Sequence, residues 1–215
     1  MGLKESGLRG SLRNVSVEIA AIPDSVVENF ESGDLNDYVG ETEEFEVNQN
    51  TPVFIAENSL KTPGSSADIV STSGKEKYPE QGDRFSQRVH YNGGSGRTNM
   101  VFAVQDIDNY YLVQVTSGGE ITIFIQNSGD FTTISEKSVQ ELPNDEWLEF
   151  EVVWLTDGTI NFEIFGASDE NDNKGSSLAQ LSVNDDTYSD GGIGWRNNND
   201  GTFAYDYYAI WESGI

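Results

Sequence analysis

The 215-residue sequence has no cysteine, one histidine, five prolines and only 12 basic residues against 37 acidic ones. Without cysteine, neither disulfides nor thiolate chemistry is available, so packing must hold the fold. A single histidine without a partnered Ser or Cys supports no catalytic triad. The net charge of −25 excludes a surface that neutralises nucleic-acid phosphates. No apolar run approaches the ~18 residues of a membrane span, and Glu18 interrupts the one N-terminal stretch, 15–22, that could pass for a signal-peptide core. These features point to a chain made and kept in a cytoplasm, or leaving it within a larger particle.

What the sequence does have is β-structure. Arg84–Tyr91, Met100–Gln105, Tyr110–Thr116, Glu120–Gln126 and Trp147–Leu155 are β-branched and aromatic runs separated by Gly, Asn and Asp. Ile121, Ile123 and Ile125 alternate with polar residues, as do Leu148, Phe150, Val152 and Trp154, so each strand has a buried face. Asp157-Gly158 is a hairpin signal leading into Thr159–Phe165. Further strands are expected at Phe45–Val47, Val53–Glu57, Ala67–Ser71, Leu178–Val183, Ile193–Arg196 and Phe203–Trp211, with no convincing helix. One all-β domain of this size is ordinary.

Residues 1–26 differ from the rest. Three basic and three acidic residues balance there, leaving 9 − 34 = −25 on residues 27–215. The acids of the body are scattered, as on a surface adapted to a solvent of high salt, where self-repulsion is screened within a few ångströms. Alternating Val15, Val17 and Ile19, then Ile22, suggest a docking strand, so residues 1–26 read as an assembly arm on a 27–215 domain.

The stretches ENFESGDLNDY, DNYYLVQVTSGGEITIF, NDEWLEFEVVWLTDGTINFEIFG and GGIGWRNNNDGTFAYDYYAIW, in that order, resemble the concanavalin A-like lectin/glucanase superfamily, especially its laminin-G-like members. The resemblance spans residues 27–211. It implies a two-sheet antiparallel jelly-roll sandwich with the first and last strands side by side. It also implies a calcium ion where they meet, for which the matching positions are Glu28 or Glu31, Gly33 and Asp206; hard oxygen ligands from distant sequence suit Ca²⁺. The E-x-D-x-E pattern of the family's enzymes is missing. Glu146, Glu149 and Glu151 lack the central Asp, and Glu149 and Glu151 read as a solvated face.

Two groups are candidates for ligand binding. Arg84, Arg88 and His90 fall on one face of a single strand, placed to grip sugar hydroxyls or carboxylates or, more simply, to neutralise nearby acids. Tyr111, Trp195 and Tyr207 are candidates for an exposed aromatic patch. The segment ESGLRGSLRNVSVEIAAIPDS resembles the leader of structural proteins from tailed viruses of halophilic archaea. That resemblance implies a non-enzymatic virion-surface protein, such as a turret, spike or tail fibre, made in the host cytoplasm. It would be a homo-oligomer bound to other virion proteins through residues 1–26, displaying a lectin-like domain to host glycan or glycoprotein. The alternatives are a decoration protein that binds no sugar and an extracellular polysaccharide-active enzyme or binding module.

Overall fold

The computed structural model describes residues 25–48, 57–62, 66–71, 78–91, 96–116, 118–166, 174–197 and 203–211. They form two antiparallel sheets packed face to face. The shorter strands are β1 (Ser25–Glu28), β2 (Val39–Gly40), β3 (Glu46–Asn48), β4 (Ser59–Lys61) and β5 (Ala67–Val70). The middle of the chain supplies β6 (Arg84–Tyr91), β7 (Arg97–Asp106), β8 (Asn109–Thr116), β9 (Glu120–Asn127) and β10 (Asp130–Ser138). The remainder supplies β11 (Glu146–Trp154), β12 (Thr159–Phe165), β13 (Ser177–Asn184), β14 (Gly192–Asn197) and β15 (Ala204–Trp211). One sheet runs β13-β12-β11-β6-β15-β4-β3 with β1 also on β15, and the other runs β10-β9-β8-β7-β14-β5-β2. This is the jelly-roll sandwich, and among the described residues the helical content is one 3-10 turn, Thr42–Glu44.

The expected closure is present. Ser25 pairs with Ile210 and Glu28 with Tyr208, so the earliest and latest strands lie side by side. The Asp157-Gly158 hairpin forms as read: Gly158 takes φ +83°, where glycine is favoured, and its N–H donates to the Leu155 carbonyl at 3.0 Å. Gly192 serves a different need, because a Cβ there would lie 1.9 Å from the Ser71 carbonyl oxygen and push β14 off β5.

Period-two alternation puts Phe85, Val89, Leu148, Phe150, Val152 and Trp154 of one sheet against Met100, Phe102, Val113, Ile121, Ile123 and Ile193 of the other. Each of these buried side chains contributes about 1.5–3 kcal/mol.

Three expectations need correction. Tyr111 and Trp195 are core residues rather than an exposed patch. β8 is buried on both faces, so alternation could not say which of Tyr110 and Tyr111 points inward. Trp195 packs edge-on to Phe30 and Tyr38, with centroids 5.2 and 5.6 Å away. Tyr207, the third aromatic, is also buried and sits at φ +55° in a bulge. The bulge turns Asp206 and Tyr208, two residues apart, to opposite faces: Asp206 pairs with Arg88 and Tyr208 with Gln87. Finally, β10 has no counterpart in the sequence reading, because its exposed DFTTISEKS carries no apolar stripe. Of the expected strand at Val53–Glu57, residues 53–56 lie outside the described residues, and Glu57 is a bend.

Candidate functional site

The outward face of the eight-stranded sheet collects most of the charged side chains of interest. Cross-strand pairing sets them in rows over β13-β12-β11-β6-β15, spaced about 7 Å along the strands. One row is Trp147, His90 and Ala204. The next is Ser177, Phe165, Glu149, Arg88 and Asp206, followed by Gln180, Glu163, Glu151, Ser86 and Ala209. The last is Ser182, Asn161, Val153 and Arg84.

Arg84, Arg88 and His90 therefore share a face, as alternation required, but they do not share a role. Arg88 is 1% exposed and ion-paired with Glu149, which is 0% exposed. That pair lies beneath the surface, so Arg88 braces the sheet and does not reach a ligand. Glu149 and Glu151, expected to be solvated, are both buried. Lys174 reaches Glu149 at 3.6 Å, also pairs with Glu151 and lies 4.6 Å over the Phe165 ring. Arg84 donates from Nε to Glu151 at 2.7 Å. Buried carboxylates are tolerated here because three cations come within ion-pairing reach of them. Lys174 lies nine residues beyond Phe165, where β12 ends, and no spacing rule in the sequence could have joined it to β11.

His90 is nearly buried, its ring edge-on to Trp147 with centroids 5.3 Å apart and its Nε2 3.7 Å from Asp145 Oδ1. Burial lowers its pKa below the ordinary value of 6.5, against an upward pull from Asp145. A histidine held neutral by the fold costs stability when it is protonated. Its contribution is thus complete above about pH 6.5 and is lost as pH falls through the lower folded pKa. Thermal melts of wild type and His90→Gln should run parallel above pH 7 and separate below pH 6.5, wild type falling faster; parallel curves throughout would remove this role.

Beside the ion-pair cluster, over β11, β12 and β13, lies an open groove of about 370 Å³. Its side chains include Glu151, Asn161, Glu163, Gln180 and Ser182, all outward in adjacent rows. Ser182 Oγ donates to Asn161 Oδ1 at 2.8 Å, which fixes that amide and leaves its N–H₂ as a donor. Arg84 and Lys174 flank the groove through Glu151. A polar, pre-formed trough offering amides, a hydroxyl and carboxylates can satisfy the alternating donors and acceptors of a polyhydroxylated ligand. The sequence reading missed Asn161, Glu163, Gln180 and Ser182. Their only signal was outward phase on two strands whose other phase is apolar.

The residues matched to calcium have other occupations. Glu28 accepts from the N–H groups of Asn29 and Phe30 at 2.9 and 2.6 Å and from the Tyr38 hydroxyl. Burial first, then the Glu28 charge, pushes the Tyr38 pKa well above its ordinary value, keeping it a donor. Glu31 accepts from the N–H groups of Glu57 and Asn58 at 3.0 and 2.8 Å. Gly33 closes a turn onto Phe30, and Asp206 faces the Arg88 row. No group of three or more His, Asp or Glu side chains that could hold a metal occurs among the described residues. In the described structure Glu28, Glu31 and Gly33 brace the loop after β1 through these hydrogen bonds.

No protein-family model matches this sequence, and no curated protein matches it either. Solved structures do match in shape. The carbohydrate binding module CBM66 from Bacillus subtilis superposes with a TM-score of 0.55 at 14% identity, over 81% of this chain and 95% of that one. A protein of unknown function with galectin-like fold, also from Bacillus subtilis, gives 0.53 at 13% identity over 82% and 89%. The GH43 protein BlXynB from Bacillus licheniformis gives 0.52 at 13% identity, over 86% of this chain and 39% of that chain. At such identities the likeness is one of fold, and the fold is the concanavalin A-like, galectin-like jelly roll.

Proposed function

We propose that this chain is a lectin-like, non-catalytic module that binds a glycan in the groove over β11, β12 and β13. The observation that supports this reading most is the pair of adjacent outward polar rows, Glu163 with Gln180 and Asn161 with Ser182, beside the clamped Glu151. The carbohydrate-binding name of one structural neighbour points the same way. A hydrolytic reading is less favoured: the two alternate carboxylates of β11 are engaged by Arg84, Arg88 and Lys174, whereas a glycosidase pair faces its substrate from both sides of the scissile bond.

The test is a glycan array in molar salt, where the −25 charge is screened. The intact protein should retain at least one glycan class. Asn161→Ala and Gln180→Ala should each weaken that binding about tenfold, the worth of one or two hydrogen bonds, with melting unchanged. Absence of binding to every glycan, or variants that bind as tightly as wild type, would overturn the groove reading. Release of reducing sugar would overturn the non-catalytic one.

The narrower setting is a haloarchaeal virion appendage anchored through residues 1–26 as a homo-oligomer. It rests on the resemblance of the arm, most of which lies outside the described residues. Deleting residues 1–24, which leaves β1 whole, should abolish particle assembly or oligomerisation while glycan binding by the body persists. Unchanged assembly would remove the anchoring role.

A further inference from the structure

One carboxylate of the groove stands apart from the ion-pair cluster. Glu163 points outward from β12, half-buried, with Glu151 of β11 directly opposite on one side and Gln180 of β13 on the other. Like charges facing each other across two strands are destabilising. Glu151 is relieved of that cost by Arg84 Nε at 2.7 Å and by Lys174. Glu163 is not: among the described residues its carboxylate has no ion-pair partner. The charges beside it are already matched, since Arg84, Arg88 and Lys174 stand against Glu149, Glu151 and Asp206. Glu163 is therefore the surplus negative charge of the groove.

Lys137 does not supply the missing cation. It comes from β10 of the other sheet and donates to the main-chain carbonyl of Gln180 at 2.9 Å, on the outer edge of β13. The remaining polar side chains next to Glu163 are neutral: Gln180 across the strand, and Asn161 with Ser182 in the adjacent row, joined by their 2.8 Å bond. A carboxylate accepts hydrogen bonds and donates none, and its two oxygens together match two adjacent hydroxyls. With an ionised acceptor such bonds are roughly twice as strong as neutral ones. A uronate or sulfate group set there would instead face a like charge with no cation to receive it. We infer, resting on the glycan reading of the groove, that Glu163 makes it specific for uncharged glycans: its carboxylate takes a pair of sugar hydroxyls and turns acidic sugars away. Arg84 and Lys174 do not reverse this preference, because Glu151 already holds both.

The test is an array of matched pairs, each neutral oligosaccharide beside its uronic acid or sulfated form, probed with the intact protein in about 1 M salt. There the −25 of the whole chain is screened beyond about 3 Å, so a preference that survives belongs to the groove. Wild type should hold the neutral members roughly tenfold or more tightly than the acidic ones. Glu163→Gln should weaken neutral binding roughly tenfold, the worth of a hydrogen bond to a charged group, and leave Tm unchanged. It should also bring the two members of each pair within about threefold of each other, the repulsion being gone. Glu163→Asp, which keeps the charge but draws it back, should lose affinity and still reject acidic members.

Acidic members that bind wild type as tightly as neutral ones, or a Glu163→Gln protein with unchanged selectivity, would overturn the inference. The groove itself would stand in either case if Asn161→Ala still weakened the binding observed. No binding to any member of the array, or binding indifferent to Asn161→Ala, would overturn the groove reading and the role of Glu163 together.

Discussion

Glu149→Ala is expected to lower stability by about 3 kcal/mol, because it strands the Arg88 guanidinium, 1% exposed, without its principal counter-charge. Breaking a buried pair costs about 3–5 kcal/mol, and the lower end applies because Asp206, buried in the same row, stays beside Arg88. In a domain of this size the loss reads as a fall in Tm of roughly 10 °C. The double variant Arg88→Met/Glu149→Leu should recover most of it, since removing both charges also removes their desolvation cost. Urea unfolding of the two single variants and the double closes the cycle. A Glu149→Ala protein within about 0.5 kcal/mol of wild type would return this residue to the solvated face that its sequence context suggests.

Trp195→Ala should cost about 3–5 kcal/mol. The indole touches Phe30, Tyr38 and Tyr208 edge-on, and through Phe30 and Tyr38 it holds the loop that follows β1 against the core. Truncation leaves a cavity between the two sheets at the seam where β1 meets β15. The midpoint in urea should move with little change in slope, and glycan binding by the folded fraction should persist, because the groove lies across the sheet over β11 to β13. A stable Trp195→Ala protein that has lost glycan binding would show instead that the ring serves a ligand.

These predictions mark where sequence reasoning worked. The strand at Arg84–Tyr91, the Asp157-Gly158 turn and the inward set of β11 were legible, since each depends on neighbours one or two residues away. Legibility stopped at strands with two apolar faces. Tyr110 and Tyr111 are interchangeable in pattern, and only the partner sheet decides which enters the core. It stopped also at the Tyr207 bulge, where one inserted residue reverses the phase of everything beyond it.

The candidate site shows the same division. That Arg84, Arg88 and His90 share a face follows from period two. That Arg88 is a buried brace while Arg84 flanks a groove depends on Glu149, Glu151 and Lys174 arriving from 61 to 90 residues away. The sequence alone determined an all-β chain with greasy inner faces, a strongly acidic exterior and no cysteine chemistry, because composition and alternation are local properties. Tertiary structure decided which charges are buried, which polar row lies open and which aromatics are core. Burial belongs to the pairing of distant strands, and no short stretch of chain encodes what will be laid across it.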